Sequence, residues 1–105
     1  MNKINVAVIE FGNEPYLKEI PNTLDALKGI VQGYIEMVRL PFDFDLVLIC
    51  NEEGKLMNLP PTLNLGHDVI CGNFLIARDK GDGDITSLTK YDIDKLNLEL
   101  GTELD

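Results

Sequence analysis

Cysteine is scarce in this sequence, and long apolar runs and positive charge are scarcer still relative to what several function classes require. Two cysteines, Cys50 and Cys71, in 105 residues are too few for a disulfide framework. No charged-then-apolar leader precedes the first apolar segment, so the chain reads as cytoplasmic rather than exported. No uninterrupted apolar stretch approaches the roughly 18 residues of a membrane span. Nine basic residues stand against 18 acidic ones, a net charge of -9, which argues against direct binding to nucleic acid or anionic lipid. Internal repeats, low-complexity tracts and long linkers are also missing. What is present has ordinary globular proportions, 45% hydrophobic and 26% charged, and predicts a single domain over residues 1–105 with one modest core.

The β-branched run Ile4 to Phe11 predicts a core strand, closed by a turn at Gly12-Asn13-Glu14-Pro15 and paired in a hairpin with Tyr16 to Ile20. From Asn22 the period changes. Leu24, Leu27, Ile30 and Val31 recur at helical spacing, with Asn22 as N-cap and Gly33 as the stop. Gly29 inside that helix costs up to about 1 kcal/mol unless something packs closely against it. Tyr34 to Leu40 and Phe44 to Cys50 alternate as antiparallel strands, the second with Phe44, Leu46, Leu48 and Cys50 on one face. Asn51-Glu52-Glu53-Gly54 then reads as a hairpin tip that returns a strand over Lys55 to Leu59, with glycine supplying positive φ.

The paired prolines of Pro60 to His67 predict an ordered loop, and Asp68 to Arg78 a further strand with Gly72 as a bulge. After the polar turn Asp79 to Asp84 and the short apolar stretch Ile85 to Leu88, Thr89 caps a last helix. Asp92 stands at the capping-box position and Gly101 ends it. The resulting fold class is α+β, a mostly antiparallel sheet of about five or six strands covered by two helices.

Few constellations offer chemistry. Cys50, His67 and Cys71 are the one set of soft or borderline metal ligands, yet no zinc spacing accompanies them and both cysteines lie in apolar strands, so they read as small core residues plus a surface histidine. The same residues are the sole Cys-His pair, and no positive charge surrounds either thiol to activate it. Asp79 to Asp84 lacks the alternate oxygen ligands of a calcium loop and carries Lys90 where the terminal glutamate belongs. Glu52 and Glu53 sit together at a solvated tip, which does not set one carboxyl apart from the other as acid–base catalysis requires. Gly81-Asp82-Gly83 has no phosphate-loop lysine after it. No catalytic residue, metal or cofactor is assigned.

The acidity is the feature left to interpret. Glu36, Asp43, Asp45, Glu52 and Glu53 fall on or beside the central strands, and Asp92, Glu99 and Glu103 near the C-terminus. Such carboxylates can imitate a phosphate array and occupy a basic channel, so these eight are the expected partner-binding residues. Lys28, Arg39, Lys55 and Arg78 are the cations available for the competing case of a small anionic ligand.

The segments Gly33-Tyr34-Ile35-Glu36, Asn51-Glu52-Glu53-Gly54-Lys55-Leu56 and Leu59-Pro60-Pro61, with Thr23 to Leu27, Ile70 to Phe74 and Ser87 to Ile93 around them, resemble a family of small uncharacterised proteins of bacteria, their phages and plasmids. The family is a domain of unknown function and lends no catalytic residues. Thr62-Leu63-Asn64-Leu65 departs from the asparagine and basic residues that typically follow the prolines. The resemblance implies a setting among mobile genetic elements, where short acidic proteins often counter host defence. Expected on that basis is a non-enzymatic inhibitor of a nucleic-acid-binding defence nuclease, an anti-CRISPR protein acting on an RNA-guided enzyme of the Cas9 type, whose nucleic-acid channels are basic. The competing readings are a module that sequesters a nucleotide defence signal and a small enzyme.

Overall fold

A computed structural model of the chain describes residues 2–105. Its elements are β1 (Lys3–Ile9), β2 (Tyr16–Pro21), α1 (Leu24–Val31), β3 (Ile35–Leu40), β4 (Asp43–Asn51), β5 (Pro61–Asn64), β6 (Val69–Cys71), β7 (Phe74–Asp79), β8 (Ile85–Thr86) and α2 (Lys90–Leu100). One antiparallel sheet runs in the order β2-β1-β7-β4-β3, with β8 added on β7; β5 and β6 form a separate two-stranded ribbon. The class is α+β.

The central strands are apolar on both sides because both faces of the sheet are covered. Ile4, Val6 and Val8 of β1, Val47 and Ile49 of β4, and Leu75 and Ala77 of β7 pack with Leu27 and Val31 of α1. The alternate positions, Ala7, Leu46, Leu48, Cys50, Phe74 and Ile76, pack with Leu96 of α2 and Ile70 of β6. Period-two alternation thus feeds two cores from one sheet, giving three layers.

Local chemistry sets the helix ends. Thr89 accepts from the Asp92 amide at 3.1 Å and the Asp92 carboxylate accepts from the Thr89 amide at 2.9 Å, the reciprocal box expected at α2. At α1 the cap is Thr23, whose hydroxyl accepts from the Ala26 amide, and not Asn22. Asn22 instead donates its side-chain amide to the Ile85 carbonyl, tying the end of β2 to β8.

Four further expectations are corrected. Lys55 to Leu59 does not return as a strand: the Met57 amide donates to the Glu53 carbonyl and the Leu59 amide to that of Gly54, which coils residues 52–58 into helical turns. The loop after Pro60 contains β5, paired with β6. The long strand expected over Asp68 to Arg78 is broken at Gly72, where φ is +88° and the chain passes from the ribbon to the main sheet. Phe44, grouped with Leu46, Leu48 and Cys50, is not covered as they are: it lies 68% exposed near the start of β4 while those three are buried.

Candidate functional site

Asn51 organises one end of the sheet. Its buried side chain donates to the carbonyls of Val31 and Gln32 at 3.1 and 3.4 Å and accepts from the Glu53 amide at 2.8 Å. It therefore satisfies carbonyls left open at the C-terminus of α1 while turning the chain out of β4. Two glycines permit this closeness. A Cβ at Gly33 would lie 2.7 Å from the Asn51 side-chain nitrogen, and one at Gly54 would lie 2.6 Å from the Cys71 carbonyl oxygen. Gly33 is consequently spent on this contact, and the left-handed residue that ends α1 is Gln32, at φ 64°.

The segments Gly33 to Glu36, Asn51 to Leu56 and Leu59 to Pro61 meet here, with the Gly72 amide donating to the Pro60 carbonyl. Between the first two of these and β6 opens a groove of about 370 Å³ whose lining includes Glu36, Cys50, Asn51, Glu52, Lys55 and Cys71. Lys55 and Asp68 form a hydrogen-bonded ion pair at its mouth. That bond holds the Asp68 carboxyl below its ordinary range and the Lys55 ammonium above it.

Burial, with the Glu36 carboxylate adding to it, pushes the Cys50 thiol up to about 11. At neutral pH it stays protonated, the opposite of what a nucleophile or metal thiolate needs. Among the described residues no group of three or more His, Cys, Asp and Glu side chains converges, and the structure does not bring Cys50, His67 and Cys71 together as a ligand set. His67 is exposed on the turn between β5 and β6.

The four cations proposed for an anionic ligand are each engaged within the chain. Lys28 lies over the Tyr34 ring at 4.8 Å, Lys55 is paired with Asp68, and Arg78 meets Asp92 at 2.7 Å. Arg39 reaches Asp79 at 2.5 Å and donates to the Phe44 carbonyl at 2.6 Å. The Gly81 amide and Arg39 together hold the Asp79 carboxyl low, so the Asp79–Asp84 turn is braced by its own backbone and by β3.

The acidic residues divide into three places and one exception. Glu36 is exposed on β3, and Glu52 and Glu53 emerge beside it, because the Glu52 amide donates to the Tyr34 carbonyl. Asp43 and Asp45 stand at the far end of the β3–β4 pair, where the Asp43 carboxylate accepts from the Asp45 amide and Asp45 lies 3.8 Å from Arg78. Glu99 is exposed on α2 and Glu103 on the segment after it. Asp92 is the exception. It is 0% exposed, bonded to Thr89 and Arg78, and has no surface to offer a partner. Among the described residues Glu36, Glu52, Glu53, Glu99 and Glu103 form no ion pair.

Sequence reasoning missed the apolar groups around these acids. Leu56 is 82% exposed at the crest of the helical turn, with Met57 and Tyr34 exposed nearby. The signal was two apolar residues directly after Glu-Glu-Gly-Lys, which the expectation of a returning strand absorbed.

A family model described as a domain of unknown function, DUF3846, matches residues 4–100. The chain belongs to the DUF3846 family. No curated protein and no solved structure matches it. The DUF3846 match begins within β1 and takes in every later element, so the groove and the β3 edge lie within the family's domain, while Leu104 of the second core lies beyond the matched residues. No helix among the described residues is long and apolar enough to cross a membrane.

Proposed function

We propose that this chain is a non-enzymatic binding protein that docks carboxylates onto a basic surface of a protein partner, and that the partner is a nucleic-acid-binding defence nuclease of the RNA-guided, Cas9 type. The observation that carries the reading is the imbalance of pairing at the end of the sheet. Among the described residues Glu36, Glu52 and Glu53 stand exposed without a counter-ion, while both arginines of the chain and Lys55 are held by its own carboxylates. Uncompensated acids around exposed apolar groups suit a basic partner, because the acids accelerate encounter and the apolar groups supply contact that survives desolvation. A nuclease channel built for nucleic acid offers the required positive charge.

The test is binding of the chain to a guide-loaded nuclease of this type. Association slows as salt rises, and it slows equally when Glu36, Asp43, Asp45, Glu52 and Glu53 are changed together to their amides, dissociation changing less. An association rate indifferent to both contradicts the electrostatic reading, and absence of binding across several such nucleases contradicts the choice of partner.

A further inference from the structure

The sheet has two edges, and they are not equivalent. At β2, the Asn22 amide donates to the Asn2 carbonyl, so in the β1–β2 register the hydrogen-bonded pairs are those of Ile20, Lys18 and Tyr16. The groups facing outward there belong to Leu17, Glu19 and Pro21. Pro21 has no N–H to offer, and the start of β2 shares a cleft with the C-terminal residues Glu103, Leu104 and Asp105. That edge is blunted.

At β3 the same reasoning gives a different edge. The Glu52 amide donates to the Tyr34 carbonyl, and the register continues through Glu36 opposite Cys50 and Val38 opposite Leu48. These alternate pairs bond inward, so the N–H and C=O groups of Ile35, Met37 and Arg39 point away from the sheet. Among the described residues no strand lies beyond β3, and no proline interrupts it. Exposed side chains differ by face: Glu36 lies on the side of Cys50, and Met37 on the opposite side. Acids bracket the edge, Glu52 and Glu53 at one end and Asp43 at the other, and its one cation, Arg39, is drawn back to Asp79 and the Phe44 carbonyl.

We infer that β3 receives an extended segment of the partner protein as an added antiparallel or parallel strand, and that this segment alternates basic and apolar residues, its cations on the Glu36 face and its apolar side chains on the Met37 face. The inference rests on the acidic docking proposed above and names its mode. Backbone hydrogen bonds to Ile35, Met37 and Arg39 supply the pairing, and the two faces supply the specificity. A second copy of the chain fits poorly, since it would bring a like acidic edge and a like charge of -9 against this one.

The experiment uses the whole chain and a synthetic peptide of alternating lysine and valine matched in length to β3, with residue-resolved amide hydrogen exchange as readout. The peptide is expected to slow exchange of the Ile35, Met37 and Arg39 amides by about tenfold or more and to leave Leu17 and Glu19 unchanged. N-methylation of every peptide amide, which keeps every charge and blocks both edges of the peptide strand, should abolish that protection. Met37→Pro should do the same from the protein side without removing an inward hydrogen bond, and a thermal melt of that variant checks that it folds. Equal binding of the N-methylated peptide overturns strand addition while the acidic reading stands. Protection at β3 that survives high salt and joint Glu36→Gln, Glu52→Gln and Glu53→Gln overturns the acidic reading and leaves strand addition. Lack of any protection at β3, or protection there that rises with protein concentration before peptide is added, overturns the inference.

Discussion

Gly54 is glycine because of a neighbour and not because of its own backbone. Its φ is not in the left-handed region, yet a Cβ there would stand 2.6 Å from the Cys71 carbonyl oxygen, a contact with backbone that has nowhere to move. Gly54→Ala should therefore destabilise the fold by about 1–3 kcal/mol, whereas Glu52→Gln, at an exposed position, should stay within about 0.5 kcal/mol. Denaturant melts measure both, and an unperturbed Gly54→Ala would contradict the packing of the turn against β6. Cys50 gives a pH prediction. Its folded value, about 11, lies above its ordinary 9.0, so the folded state keeps the proton that the unfolded state loses. The contribution is fully present below pH 9.0 and is lost as pH rises towards about 11. Stability measured across that window should fall less steeply in Cys50→Ala than in the parent chain; parallel slopes would show that the thiol is not held neutral by the core. At the acid end the sign reverses, because the Asp68 and Asp79 carboxyls lie below 3.8 in the folded state. Their contribution is present above 3.8 and lost as pH falls through their folded values.

The elements show which local signals decided the fold. The second helix was legible down to its caps because Thr89, Asp92 and Gly101 each act through bonds within a few residues. The strands β1, β3 and β4 were legible as apolar and β-branched runs bounded by turn residues, while β7 was read as continuous with β6 because nothing local marks the change of sheet at Gly72. The turn over residues 52–58 was not. Asn-Glu-Glu-Gly satisfies a hairpin template as well as a helical turn, and what selects the turn is Asn51 reaching across to α1 and Cys71 lying against Gly54, both distant in sequence. The ribbon of β5 and β6 was half seen, since prolines at its start suggest a loop when no partner strand is known. Two glycines of the first helix region should respond in opposite directions. Gly29 is helical, with open space where a Cβ would go, so Gly29→Ala should stabilise by up to about 1 kcal/mol. Gly33→Ala should destabilise, because its Cβ would press on the Asn51 amide that closes α1. Thermal melts of the pair decide, and a shift in the same direction for both would contradict the role given to Asn51.

At the scale of the whole molecule, the division of labour is between a sheet buried on both faces and an edge that is left open and acidic. The positions of the candidate acids were legible from the sequence because charged residues flanking strands and turns are exposed by default, and Asp92 failed that rule because a capping box and Arg78 together make a buried carboxylate tolerable. The gathering of Glu36, Glu52 and Glu53 around Leu56 and Met57 was invisible, since it depends on the turn that sequence did not reveal. Single substitutions at this surface should have small effects, as an exposed charge pair contributes no more than about 1 kcal/mol, and a cluster must be altered at once. The most direct measurement of the central claim is cleavage of target DNA by a guide-loaded Cas9-type nuclease with increasing amounts of this protein, at low and high salt. Cleavage should fall as the protein is added, and inhibition should weaken in high salt and in the variant with Glu36, Asp43, Asp45, Glu52 and Glu53 neutralised together. Undiminished cleavage at large molar excess, across several such nucleases, would contradict the account.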